Sequence, residues 1–167
     1  MRDREATRAR LLDAAMDEFA QHGIAGARVD RIAAGAGCNK AMIYAYFGSK
    51  EGLFDALLKI QVDRLVASAP VTPEDLPGYA GRLFDAYASE PRLLRLVAYH
   101  RLGNGSGDVP KADVEAVAKA QREGRVSAEF SASDLLGMVV HLSILAFTTP
   151  NATRELVERS VRRLVGQ

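Results

Sequence analysis

The sequence predicts an all-α fold of about nine helices, the first three drawn into a compact N-terminal unit. Leu, Ala, Val, Glu and Arg recur at three- and four-residue spacing, and strict alternation of apolar and polar residues over several positions is absent. Prolines fall between the periodic stretches or at their starts. Residues 29–54, VDRIAAGAGCNKAMIYAYFGSKEGLF, compress two short helical patterns around a glycine and begin a third.

The first helix, 6–22, carries Leu11, Leu12, Ala15 and Phe19 and is stopped by Gly23. In the second, 29–36, Val29, Ile32, Ala33 and Ala36 have the spacing of one face; Gly37 and Cys38 interrupt it. Asn39 is a suitable cap for the third, 40–46, which turns Ile43 and Phe47 inward. The fourth, 49–68, runs on from the N-terminal unit into the rest of the chain. Pro70, Pro73 and Pro77 lie around the start of the fifth, 74–89, and Pro91 opens the sixth, 91–102. Helices at 110–124, 132–148 and 151–165 follow, with Pro150 dividing the last two.

Composition narrows the function. With 167 residues, 48% of them hydrophobic, the chain can bury a substantial core without disulfides, and its single cysteine, Cys38, has no internal partner. A formal net charge of +1 excludes a polyanion-coating protein. Residues 1–50 carry +2 and residues 51–167 carry −1, a small excess on the N-terminal side. No signal-like start is present and no apolar run reaches the ~18 residues that span a bilayer, so a cytoplasmic location is expected. Gly103-Asn104-Gly105-Ser106-Gly107-Asp108 reads as a mobile surface loop; a phosphate-binding loop needs a preceding strand and a following Lys-Ser/Thr pair. Cys38, His22, His100 and His141 lack metal-ligand spacing and a nucleophile-elbow pattern, so neither an enzyme nor a cofactor is expected.

Two short helices about a glycine turn make a helix-turn-helix, which points to sequence-specific DNA binding. The third helix would then be the recognition helix, presenting Asn39, Lys40, Ala41, Met42, Tyr44 and Ala45 outward. Lys40 suits a guanine edge or a phosphate, Tyr44 and Tyr46 can donate to phosphates, and Ala41 or Met42 can lie against a thymine methyl. Lys50, in the first turn of the next helix, is placed to hold a phosphate.

The residue order resembles one family. Ile32-Ala33, Ala36-Gly37, Lys40, Ile43, Tyr44, Tyr46-Phe47, Ser49-Lys50-Glu51 and Leu53-Phe54 look like the N-terminal domain of tetracycline-repressor (TetR) family regulators. Upstream, Arg10-Leu11-Leu12-Asp13-Ala14-Ala15 and Phe19-Ala20-Gln21-His22-Gly23 are similar to that family's first helix and its glycine stop. The similarity covers roughly residues 7–60. It implies DNA-contacting roles for Lys40, Ala41, Met42, Tyr44, Ala45, Tyr46 and Lys50, and a helix-turn-helix domain, residues 1–48, followed by a helical ligand-binding and dimerisation domain, residues 49–167. In two places the chain departs from the family. Arg28 stands where a Thr or Ser cap is usual, leaving that helix start worse capped by ~1 kcal/mol, with Arg28 and Arg31 placed to reach phosphate instead. Gly35 costs up to ~1 kcal/mol within its helix and hints at close packing, and Cys38 reads as a buried hydrophobe.

One helix-turn-helix touches few base pairs, so a homodimer on a palindromic double-stranded operator is expected. Leu135, Leu136, Val139, Val140, Leu142, Ser143 and Ala146 on one helix, and Leu156, Val157, Val161, Leu164 and Val165 on the next, offer an interface that would form a four-helix bundle with their symmetry mates, as in the family. The same stripes would also serve a monomer core. Tyr79, Phe84, Tyr87, Leu96, Tyr99 and His100, with Met138, His141, Leu142 and Leu145, have the spacing of a pocket lining for a small-molecule effector, and equally of ordinary core. The function so read is a homodimeric transcriptional regulator, a repressor released when a ligand among helices five to eight shifts the fourth helix.

Overall fold

A computed structural model describes residues 2–104, 109–145, 147, 149 and 151–166, with the backbone alone for 2, 3, 102–104 and 145. Nine α-helices are present among them: α1 (Arg2–Gly26), α2 (Val29–Gly35), α3 (Ala41–Phe47), α4 (Lys50–Ser68), α5 (Leu76–Ser89), α6 (Pro91–Asn104), α7 (Lys111–Arg122), α8 (Ala132–Leu145) and α9 (Arg154–Leu164). A 3-10 turn, Pro73–Asp75, leads into α5. No strand occurs among the described residues.

The helix ends follow local chemistry. Regular α1 breaks at Gly23, whose φ of 64° is open to glycine and strained for other residues, and a further turn carries it to Gly26. Side-chain oxygens of Asp75, Ser131 and Thr153 accept the main-chain N–H of Gly78, Asp134 and Leu156, capping α5, α8 and α9. α6 runs on to Asn104, so Gly103 and Asn104 of the expected loop are helical, and residues 105–108 lie outside the described residues.

The chain divides into two compact units, Met1–Arg64 with Pro91–Gly105, and Leu65–Glu90 with Ser106–Gln167. This differs from a boundary at 48/49, because α6 joins the N-terminal unit and α4 is divided at residue 64. Burial explains it. Leu11, Ala15 and Phe19 of α1, Leu53, Phe54 and Leu57 of α4, and Leu93, Leu96 and Val97 of α6 are buried. Phe19 meets Phe54 edge-on at 5.1 Å between ring centroids, and such side chains each contribute about 1.5–3 kcal/mol on leaving water. Arg92 of α6 closes the edge with a 2.9 Å bridge to Asp17 of α1.

In the second unit α5 packs against both α8 and α9, and α7 against α8. Leu76, Tyr79, Ala80, Leu83 and Tyr87 of α5 are buried, as are Val117 and Ala120 of α7, Leu135, Leu136 and Val139 of α8, and Val157 and Val161 of α9. The buried Ser143 hydroxyl of α8 lies 3.0 Å from Val139 O and 3.2 Å from Ala80 O of α5, so its proton is satisfied within the core. Arg154 of α9 pairs with Asp85 of α5 and with Glu158.

Candidate nucleic-acid interface

α2 starts without a side-chain cap of its own, as the Arg28 substitution predicts. The missing acceptor comes from α1 instead. Glu18, buried at 9% exposure, accepts the Arg28 main-chain N–H at 2.8 Å, and its two oxygens lie 2.8 and 3.0 Å from Arg31 Nε. Burial pushes the Glu18 carboxyl up, but the hydrogen bonds from Arg31 and Arg28 and the Arg31 charge outweigh it and hold the group below the usual glutamate range. Arg31 also donates to Gly26 O at 3.2 Å. Its guanidinium is thus held by the protein through Nε and one terminal nitrogen, while the side chain stays 43% exposed; Arg28 is exposed as well.

The turn between α2 and α3 is a Schellman motif. Gly37, at φ 62°, sits in the left-handed region, with Cys38 N–H bonded to Ala33 O at 3.0 Å and Gly37 N–H to Ala34 O at 3.1 Å. Cys38 is half-buried, a correction to its reading as a buried hydrophobe: the residue after a left-handed glycine leaves the helix axis. Gly35 has the close approach its presence suggests, since a Cβ there would lie 3.3 Å from Ala14 Cβ of α1. Asn39 Oδ1 accepts the Ala41 N–H at 2.9 Å and fixes the start of α3.

Ile43 anchors α3 in the core, while Tyr44, at 51% exposure, stands free of it. Lys40, Ala41 and Ala45 are exposed with it, and Met42 and Tyr46 are half-buried. Phe47 is also half-buried, so it closes the edge of the core and does not fill it. Lys40 Nζ lies 3.1 Å from Asp30 Oδ1 of α2, an exposed pair. Past Gly48, Ser49 Oγ caps α4 by accepting Gly52 N–H at 2.9 Å, and Lys50 Nζ donates to Ala27 O at 3.3 Å. The Lys50 ammonium keeps two further donors for an anion. Arg4 and Arg8 of α1 lie over the Tyr46 and Phe47 rings, at 5.8 and 5.6 Å from the centroids. Sequence reading missed Glu18 and these two arginines, although Arg4 and Arg8 precede Leu11 and Ala15 on the same helical stripe.

Two family models match the chain: residues 11–57 fit the bacterial regulatory proteins of the tetR family, and residues 75–165 fit the tetracyclin repressor-like C-terminal domain. The chain belongs to the TetR family. It is a DNA-binding transcriptional regulator, not an enzyme. Members of the family bind DNA through the helix-turn-helix, respond to small-molecule ligands and act as dimers. This TetR-family chain is 42% identical over 165 residues to the HTH-type transcriptional repressor SCO4008 of Streptomyces coelicolor, covering 93% of this chain and 86% of that one. It is 32% identical over 108 residues to the repressor NicS of Pseudomonas putida, covering 60% and 51%. The crystal structure of SCO4942 from Streptomyces coelicolor superimposes with a TM-score of 0.77 at 32% identity, covering 95% of this chain and 97% of that one. No described helix of the TetR-family chain is long and apolar enough to cross a membrane, and the described residues hold no metal-binding cluster.

The regulator's second unit sorts the expected interface residues. Leu135, Leu136, Val139, Val140, Ser143, Val157 and Val161 are buried within the chain itself. That corrects their place at a dimer interface, because a side chain already out of water has no area left for a partner. Leu156 and Leu164 of α9 and Met138 and Leu142 of α8 are half-buried, and His141 is exposed.

The expected ligand-lining residues fall in both units of the regulator. In the N-terminal unit Leu96 is buried, the Tyr99 ring lies so close to Gly23 that a Cβ there would be 3.4 Å from it, and His100 stacks on Phe54 at 6.2 Å. In the second unit Tyr79 and Tyr87 are buried and Phe84 stacks on Phe147 at 4.9 Å. His141 Nδ1 lies 2.7 Å from Gly137 O, and the Leu145 side chain and Ala146 lie outside the described residues. Burial, with the Asp113 carboxylate nearby, raises the Tyr79 phenol well above its ordinary value, so it stays a neutral donor. Two concavities, of about 190 and 290 Å³, contain none of these residues.

Proposed function

We propose that this TetR-family regulator is a cytoplasmic repressor that binds a palindromic operator as a homodimer and is released by a small-molecule effector. The exposed row of Lys40, Ala41, Tyr44 and Ala45 on a helix anchored by Ile43 supports the reading most directly. A helix held from behind with short and polar side chains in front fits a major groove. Asn39, Met42 and Tyr46 flank that row, and Lys50 and Arg28 reach the backbone at its edge. Similarity to SCO4008 and NicS, both named repressors, favours negative control.

The dimer contact proposed is the strip left over after the core is filled: Leu156, Ser160 and Leu164 at four-residue spacing on α9, with Met138, His141 and Leu142 on α8. The effector contacts proposed are Tyr79, Phe84 and Tyr87 of α5. A ligand there acts only through different affinity for the two arrangements of the recognition helices.

Selection of bound sequences from a random duplex pool at physiological salt tests this. A palindrome with half-sites about one helical turn, or a multiple, apart is the expected result. Recovery of no preferred sequence would overturn it.

A further inference from the structure

Arg4 and Arg8 continue the buried stripe of α1 beyond its apolar part. At four-residue spacing they precede Leu11, Ala15 and Phe19 on one helix face, and they lie ahead of residues 11–57, the stretch matched by the N-terminal family model. Both are exposed. Where an apolar side chain would pack against α3, each lays a guanidinium over an aromatic ring instead, Arg4 on Tyr46 and Arg8 on Phe47. The two rings are 6.1 Å apart, close to one helical turn of rise for residues four apart.

A guanidinium held over a ring face by cation–π attraction keeps its five N–H donors for other acceptors. The contact also removes part of the rotamer freedom that a free arginine would lose on binding an anion. Among the described residues neither guanidinium has a carboxylate partner, in contrast to Arg31 on Glu18 and Lys40 on Asp30. Glu5, three residues before Arg8 on the same helix, forms no ion pair with either guanidinium among the described residues.

We propose that Arg4 and Arg8 form a second contact to the DNA backbone, binding phosphate oxygens beside the recognition helix, with Tyr46 and Phe47 as the platform that aims them. The pair adds affinity and fixes orientation but reads no base. The inference rests on the DNA-binding reading above.

The test titrates a labelled random-sequence duplex of about 30 base pairs with the full chain between about 50 and 200 mM salt. Wild type, Arg4→Ala/Arg8→Ala and Arg4→Lys/Arg8→Lys are compared, with thermal melting and light scattering as controls for fold and assembly. The slope of log affinity against log salt is expected to fall by about 1.8 in the alanine variant, about 0.9 for each lost phosphate contact. The lysine variant retains the slope with weaker binding, because it keeps the charge and loses the forked guanidinium donors. An unchanged slope in the alanine variant, or a loss of affinity equal at all salt concentrations, overturns the proposal while leaving DNA binding intact. Absence of binding by wild type at the lowest salt would instead remove the reading on which the proposal stands.

Discussion

Both carboxylate oxygens of Glu18 on α1 face the Arg31 guanidinium on α2, with Nε at 2.8 and 3.0 Å. The same carboxylate takes the Arg28 N–H at 2.8 Å, so one buried side chain supplies the cap that α2 lacks and ties the two helices together. Glu18→Ala is expected to destabilise the chain by about 1–3 kcal/mol, since an N–H and a charged partner lose their acceptor. Denaturant melts of the two proteins measure it; equal midpoints would show that solvent replaces the carboxylate without cost.

The same pair sets a pH dependence. The Glu18 carboxyl is held below its ordinary value in the folded chain, so its contribution is fully present above the unfolded value of about 4.3. It is lost as pH falls through the folded value. Acid unfolding of Glu18→Gln should therefore be less steep below about pH 4.3 than that of wild type. Superimposable acid profiles would contradict it.

Tyr44→Phe keeps the helix surface and removes one hydroxyl, so operator affinity should fall about fivefold, or about 1 kcal/mol, at unchanged melting temperature. Lys50→Ala should lower the salt slope by about 0.9 as one phosphate contact is lost. Operator binding by both variants at the wild-type level would remove these assigned roles.

Asp30 sits 3.1 Å from the Lys40 ammonium on the face proposed to meet DNA. An exposed pair of this kind contributes at most about 1 kcal/mol to stability. Asp30→Asn removes an anion that repels phosphate and frees the lysine. Operator affinity should rise a few-fold at low salt and converge with wild type as salt increases. A loss of affinity would mean that Asp30 positions Lys40.

A charge at Val161 and one at Leu164 should fail differently. Val161 is 0% exposed, so Val161→Glu buries an unpaired carboxylate and is expected to unfold the chain. Leu164 is half-buried on the outer strip of α9, so Leu164→Glu should leave helicity intact and yield monomers by light scattering. A Leu164→Glu dimer would move the interface off this strip.

Helix type and order were legible in the sequence because their causes are local. The 3.6-residue period, the prolines and Gly37 act within a turn or two of where they stand, and the nine helices lie close to the ranges that they imply. The helix-turn-helix was legible for the same reason: a left-handed glycine between two short apolar stripes is a local device. Periodicity gives a helix its apolar face but does not say what that face meets. Leu136 and Val161 were indistinguishable by pattern from Leu156 and Leu164, and only packing against α5 made the first two core and left the others half-buried. Pairings across long stretches of chain, Glu18 with Arg31 and Arg8 with Phe47, likewise depend on how helices cross. By itself the sequence determined an all-α regulator with its recognition helix. The tertiary structure decided which of its charges are spent within the fold and which stripes stay at the surface, because both follow from helix–helix approach and not from residue spacing.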